Sequence, residues 1–359
     1  MQPCDIVVVG GGLAALHAAQ RSAQLGLHCV ALTGAAPGGL LLSIESVQGL
    51  PDRPEGIAGY DLGPMAQEAA MDAGATCLPE EATRIERHGD GWLVHGESTP
   101  VQARAIVLAM GCHLRALGLP GEQRLAGKGV SHCASCDGPL LRGRAVAVVG
   151  GGDAACQEAL TLAGYAGTVH LLVRGDALRA RRSWQERIAA QPKIALRLGA
   201  VVDEILGDAT VSGLRLRGGE TLPVPAVFVY AGLVPSSALL RAPAGEAGAD
   251  DLVALEGGGH VLVDAALRAS ARGAFAAGTL RAGHDGQAAQ AVADGIAAAE
   301  AAHRFLQSGA AADWPEAPPF TASSATSSSA SATASASAST TAPTTASTTA
   351  STTAERTPS

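Results

Sequence analysis

Hydrophobic positions along the chain gather into short unbroken runs that end in glycine. Ile6-Val7-Val8-Val9, led by Asp5, is β-branched and too short for a helix, so it predicts a buried strand. Three glycines follow, and an alanine-rich stretch with helical spacing then reaches Gln24, which reads as strand, tight turn, helix. Ala145-Val146-Ala147-Val148-Val149, Gly150-Gly151-Gly152 and a helix-forming stretch through about Ala163 repeat that arrangement. Three more buried strands are expected: Ala105 to Ala109 before Met110-Gly111, Ala226 to Tyr230 before Ala231-Gly232, and Ala274 to Ala277 before Gly278. The last leads into a long alanine-rich helix that returns the chain to the first domain. The pattern is that of an α/β protein with two nucleotide-type βαβ openings.

Each opening carries a glycine turn of the form G-x-G-x-x-A. The first is Gly10-Gly11-Gly12-Leu13-Ala14-Ala15 and the second Gly150-Gly151-Gly152-Asp153-Ala154-Ala155. Glycine lets the backbone approach a pyrophosphate at the positive N-terminus of the following helix. One such turn is as readily structural as functional, but two in one chain point to two dinucleotides, and flavin with nicotinamide is the economical pair.

Composition narrows the class. With 359 residues, 47% of them apolar, the chain can fill the cores of two domains. A net charge of −8 with scattered basic residues argues against a nucleic-acid or anionic-membrane surface. No apolar run approaches the ~20 residues that span a bilayer, and the N-terminus enters a strand without a basic flank, so a cytoplasmic protein is expected. From about Thr321 the sequence is almost pure Ser, Thr and Ala, which cannot offset its ordering entropy and predicts a disordered tail.

Seven cysteines, five of them isolated, do not make a secreted disulfide framework. Only His132-Cys133-Ala134-Ser135-Cys136-Asp137-Gly138 spaces two thiols for joint chemistry. Three residues apart, they can close a small disulfide ring, and a helix N-terminus there would lower a thiol pKa. No second Cys-x-x-Cys or His pair completes a zinc site. Asp137 is placed either to exchange a proton with a thiolate or to cap a helix.

In this order, the first glycine turn, the Gly38-Gly39 loop, Cys-Ala-Ser-Cys-Asp-Gly, the second glycine turn and Ala-Ala-Gly before a helix, the chain resembles bacterial thioredoxin reductases from residue 5 to about 307. The resemblance implies two Rossmann-like, three-layer ββα domains, the second inserted in the first. A FAD domain would comprise residues 1–113 and 244–310, a NAD(P) domain with the cysteines 114–243, and a disordered tail 311–359. It implies a homodimer that passes electrons from NADPH through FAD to the cysteine pair, and on to a thioredoxin-like protein or a small disulfide. By motif position Cys136 would face the flavin, Cys133 would attack the external disulfide, and Asp137 would be the acid/base. The flavin would be held by Gly10, Gly12, Ala15, Gly38, Gly39, Gly111, Gly278, Thr279 and Gln287, and the nicotinamide cofactor by Gly150, Gly152, Ala155, Arg174 and Arg179.

Several positions depart from the family pattern. Leu40, Met110 and Gly49 stand where it has Gln, Thr and Asn; Thr279 replaces the Asp that holds the ribityl chain, and Gly286 the Arg before Gln287. Losing one charge-assisted contact costs about 1.5–3 kcal/mol, or roughly 10- to 100-fold in affinity. The family's His-Arg-Arg reads Val173-Arg174-Gly175 here, with Arg179 retained. Two guanidiniums still suit a 2′-phosphate, although Arg174, Arg179, Arg181 and Arg182 read equally as a solvated basic face. Two alternatives follow: an NADPH-independent dithiol oxidase or ferredoxin-linked reductase, and a flavin-less binding protein of the same fold. His132 and His284 are further acid/base candidates, since imidazole is the side chain suited to proton transfer near neutral pH, but surface or capping roles are the simpler expectation for both.

Overall fold

Ile6, Val7, Val8 and Val9 are each no more than 2% exposed, because they form the centre of a sheet covered on both faces. The structure, a computed structural model, describes residues 3–242, 251–308 and Trp314. In the first body, β1 (Cys4–Val9), α1 (Leu13–Gln24), β2 (Cys29–Leu32), α2 (Gly59–Asp72), β3 (Thr76–Leu78), β4 (Arg84–His88), β5 (Gly91–His95) and β6 (Pro100–Leu108) follow one another. The second body holds β7 (Cys112–Leu114), β8 (Val130–Ser131), α3 (Ala134–Asp137), β9 (Ala145–Val149), α4 (Asp153–Ala163), β10 (Thr168–Val173), α5 (Arg182–Ala190) and β11 (Ile194–Leu198). It continues through β12 (Val202–Leu206), β13 (Gly213–Leu216), β14 (Thr221–Leu222), β15 (Val227–Val229) and β16 (Leu233–Pro235). The first body then resumes with β17 (Ala274–Ala276) and α6 (Ala288–Ser308).

Strands β3, β2, β1 and β6 pair in parallel in that order. The nine-residue β6 takes two partners on its other edge, β5 antiparallel along Pro100–Ala103 and β17 parallel along Ile106–Leu108. One face of this sheet packs α1 and α6 through small residues, Ala14, Ala15, Ala18 and Ala19 against Ala298, Ala301 and Ala302. The approach is close enough that a Cβ at Gly295 would stand 2.2 Å from the Ala14 carbonyl oxygen.

The second body is a parallel sheet in the order β11-β10-β9-β15-β8. Alternate residues of β9 choose its layers. Val146 and Val148 meet the α4 and α5 side, with Leu162 and Trp184, while Ala147 meets the antiparallel β12-β13-β14 layer, with Ile205 and Leu214. This is the expected three-layer ββα arrangement, inserted between β6 and β17 of the first sheet.

The two chain crossings lie side by side, as β7 pairs antiparallel with β16. Leu239 and Leu240 already pack in the core of the first body, so the chain re-enters it before residue 243. No turn signal marks that point; the apolar pair itself does, by having its partners in the other sheet. Within the stretch read as tail, Trp314 stacks edge-on against Phe275 at 5.4 Å and Phe305 at 5.3 Å, which carries the first body past residue 311. The rest of that stretch lies outside the described residues, among which no helix is long and apolar enough to cross a membrane.

Candidate active site

A cavity of 1270 Å³ opens along the first glycine turn and is closed on its far side by α4, α5 and Tyr230 of the second body. Gly10 has φ +128°, and a Cβ there would lie 2.2 Å from the Ala109 carbonyl oxygen; one at Gly11 would lie 2.1 Å from that of Thr33. These two glycines are therefore forced by the strands around them. Gly12 has nothing within 4 Å of its Cβ position. It opens onto the cavity at the start of α1, a helix with no side-chain cap and no acidic residue in its first turn. Such an end leaves N–H groups and a positive dipole for an anion. Gly38, Gly39, Gly111, Gly278, Thr279 and Gln287 line the same cavity. Ala15 does not; it is fully buried where α1 meets the sheet.

The second turn is built alike. Gly150 has φ +151° and would place a Cβ 2.4 Å from the Tyr230 carbonyl oxygen, whereas Gly152 has nothing within 4 Å. Only Asp153 and Ala154 of this turn reach the cavity, and Ala155 is buried on the inner face of α4. The loop after β10 is tied to the turn by the N–H groups of Arg179 and Ala180, which donate to the Gly151 carbonyl at 2.7 and 3.2 Å. Arg174 and Arg179 are exposed and neither lines the cavity. Arg181 does, and its Nε and backbone N–H donate to the Asp153 carboxylate at 2.5 and 2.8 Å.

Cys133 and Cys136 form a disulfide with Cα atoms 5.3 Å apart. Cys133 caps the four-residue α3 in an extended conformation, and the Cys136 N–H donates to its sulfur at 3.2 Å. Cys136 is exposed, while the half-buried Cys133 sulfur lies 3.7 Å from the Ser43 carbonyl oxygen of the first body. Neither cysteine lines the cavity, so the flavin-facing position expected for Cys136 is not the one this arrangement of the two bodies presents. Asp137 is half-buried on the same short helix.

The model of the family described as pyridine nucleotide-disulphide oxidoreductase matches residues 4–303. The chain belongs to this family. It is 34% identical over 307 residues to the thioredoxin reductase of Treponema pallidum (strain Nichols), a match spanning 84% of this chain and 97% of that one. It is 38% identical over 309 residues to the bifunctional thioredoxin reductase/thioredoxin of Mycobacterium leprae (strain TN), covering 84% of this chain and 66% of the other. The crystal structure of Lactococcus lactis thioredoxin reductase in its FR conformation superposes with a TM-score of 0.78 at 30% identity, covering 85% of this chain and 99% of that one.

The protein is thus a flavin-dependent disulfide oxidoreductase whose redox-active pair is Cys133 and Cys136, and the family's cofactors are FAD and NADPH. The residues present fit a dinucleotide at the first turn, since Gly12 leaves an open cradle over an uncapped helix end and the cavity beside it is large and glycine-lined. At the second turn Gly152 leaves the same cradle, but Asp153 puts a carboxylate in the first turn of the helix.

Asp294, Arg281 and Glu158 of this oxidoreductase escaped the sequence reading as part of the site. Asp294, from α6, accepts the Gly278 N–H at 3.1 Å and both Nε and Nη2 of Arg281 at 2.5 and 2.9 Å, anchoring the turn that carries Thr279. The side chain of His284 is 2% exposed and so is not at the surface; burial lowers its pKa, and its Nδ1 accepts the Gly286 N–H at 2.9 Å, which is the capping role. His132 remains exposed, its Nδ1 bonded to the Val229 carbonyl at 2.9 Å. Behind the cysteine helix, Glu158 is 4% exposed, lines the cavity, and accepts from the Tyr230 hydroxyl at 3.4 Å. Burial pushes its carboxyl up to about 7, against the lowering effect of the Ala134 N–H and the Tyr230 hydroxyl, while the Glu45 charge adds to the rise. No sequence pattern signals an acid that is buried by a strand from elsewhere in the chain.

Proposed function

We propose that this protein transfers electrons from NADPH to the disulfide of a thioredoxin-like protein, as a cytoplasmic homodimer. The observation that carries this reading is the Cys133–Cys136 disulfide, held at the exposed end of the body whose second glycine turn faces the flavin-type cavity. The M. leprae relative, whose name joins a reductase and a thioredoxin in one chain, supports a thioredoxin as acceptor.

In this reading Gly10 and Gly12 bring the backbone to a pyrophosphate at the start of α1, and Gly38, Gly39, Gly111, Gly278, Thr279 and Gln287 enclose the remainder of FAD. Gly150 and Gly152 do the same for the nicotinamide dinucleotide, with Ala15 and Ala155 seating each helix on its sheet. FAD, when bound, relays two electrons between the nicotinamide and the cysteine pair. In this reading residues 1–113 and 244–310 form the flavin body and 114–243 the nicotinamide body. Because the cysteines lie outside the cavity, the second body must turn about the β7–β16 crossing to bring them to it. Cys133 then attacks the acceptor disulfide, Cys136 resolves the mixed disulfide, and Asp137 exchanges the proton with the emerging thiolate.

The exposure of Arg174 and Arg179 away from the cavity favours a second reading, in which a donor other than NADPH is used. One experiment separates them. The FAD-loaded protein is mixed with NADPH without oxygen and its visible spectrum recorded. Bleaching followed by reduction of added thioredoxin is expected; a band that persists with NADPH and bleaches with a dithiol would transfer the assignment to the dithiol oxidase or ferredoxin-linked class. Protein that fails to retain FAD would overturn both.

A further inference from the structure

The starts of two helices in the second body converge on one carboxylate. Asp153 opens α4 directly after Gly152, and one of its oxygens accepts the backbone N–H of Arg181, the residue before α5, at 2.8 Å. The Arg181 Nε donates to the other oxygen at 2.5 Å. The loop that carries Arg181 is itself pinned to the glycine turn, because the Arg179 and Ala180 N–H groups donate to the Gly151 carbonyl. Asp153 and Arg181 both line the cavity. The Arg181 side chain is 57% exposed, and its Nη groups make no hydrogen bond among the described residues. The neighbouring cations are placed otherwise. Arg182 pairs with Glu186 at 2.8 Å, Arg187 lies over the Trp184 ring at 4.5 Å, and Arg174 and Arg179 are exposed outside the cavity.

We propose that Arg181 is the side chain through which the second body binds the pyrophosphate of its nicotinamide dinucleotide, with Asp153 as the residue that orients the guanidinium. A carboxylate in the first turn of α4 offsets the positive potential that an open helix end offers an anion. Arg181 neutralises that carboxylate and leaves its Nη groups free at the turn, in the forked geometry that suits phosphate oxygens. Gly152, with nothing within 4 Å of its Cβ position, leaves room for those oxygens to approach. The pyrophosphate is common to NADPH and NADH, whereas the 2′-phosphate belongs to NADPH alone. A contact of this kind therefore sets affinity without choosing between the two cofactors, and any choice falls to Arg174 and Arg179. The proposal rests on the reading that a nicotinamide dinucleotide is the electron donor.

The FAD-loaded protein is titrated calorimetrically with NADP+ and, separately, with NAD+, oxidised dinucleotides that leave the flavin unchanged, so that binding is read without turnover. Arg181→Ala is expected to weaken both by a similar factor, about 10-fold or more. Because the substitution also strands the Asp153 carboxylate beside the phosphates, its cost should shrink by about 3-fold in the Asp153→Asn background, the non-additivity of a coupled pair. Flavin absorbance per chain should match the parent in every variant, since Asp153 and Arg181 lie outside the first body. A loss confined to NADP+ would make Arg181 a 2′-phosphate ligand and overturn the proposal, as would unchanged affinity for both dinucleotides. Equal costs with and without the Asp153 carboxylate would overturn the orienting role. A parent protein that binds neither dinucleotide overturns the functional reading beneath the proposal.

Discussion

The two glycine turns of this oxidoreductase are nearly superimposable in sequence and differ in what surrounds them. Each has a first glycine wedged against a strand-end carbonyl, at Ala109 and at Tyr230, and a third with open space at its Cβ position. Around the first turn the protein supplies an uncapped helix end and a glycine-lined cavity. Around the second it supplies Asp153, locked to Arg181, and arginines that point to solvent. The same local motif therefore makes an anion cradle in one body and a partly neutralised one in the other. A glycine turn secures the backbone's approach, while the charge that meets the ligand comes from residues outside the motif.

The largest way to separate the two bodies is at the cysteines. Cys136→Ser is expected to lower disulfide reduction ~10³-fold or more while leaving the flavin content of the first body unchanged, measured as turnover per bound FAD. If turnover survives, the pair assignment is wrong. Next comes Gly10→Ala, whose added methyl meets the Ala109 carbonyl and a left-handed backbone. It should cost about 3 kcal/mol in urea unfolding. Gly12→Ala and Gly152→Ala meet no such clash, so both should fold normally and each weaken only its own dinucleotide by about 10-fold, read by titration with FAD and with NADPH. Equal losses of both ligands in either variant would mean that the two cradles are not independent.

Glu158 sharpens the comparison through stability, for the buried acid beside the first turn, Asp294, is paired with Arg281, whereas Glu158 is bonded to the Tyr230 hydroxyl. Its folded value of about 7 lies above the ordinary 4.5, so between these pH values the folded protein holds more protons than the unfolded one. Its contribution therefore falls as pH rises through that window. Glu158→Gln, which stays neutral, should gain in Tm relative to the parent between pH 4.5 and 7 by about 3 °C and stay level above it. The smallest effect expected is at the second body's rim. Arg174→Ala and Arg179→Ala should raise the NADPH KM only about 3-fold and leave that for NADH unchanged, as fits exposed guanidiniums in high dielectric. A larger loss would show that these arginines fold onto the cofactor.

Much of this was legible without coordinates. The strand at Ile6–Val9, its repeat at Ala145–Val149 and the helices after them were determined by residue order alone, because a β-branched run, three glycines and an alanine-rich stretch each dictate local geometry whatever lies beyond. The cysteine pair was equally plain, since three residues of spacing suffice to close its ring. What only the tertiary structure decided were the residues whose environment comes from distant chain. Glu158 lies buried on α4 against Tyr230; Asp294 reaches Gly278 and Arg281 from α6; His284, read as a surface or capping residue, is enclosed and takes the capping role; Trp314, assigned to the tail, completes an aromatic cluster with Phe275 and Phe305. Local geometry is set by neighbours along the chain, but burial, and with it the protonation state of an acid such as Glu158, is set by neighbours in space.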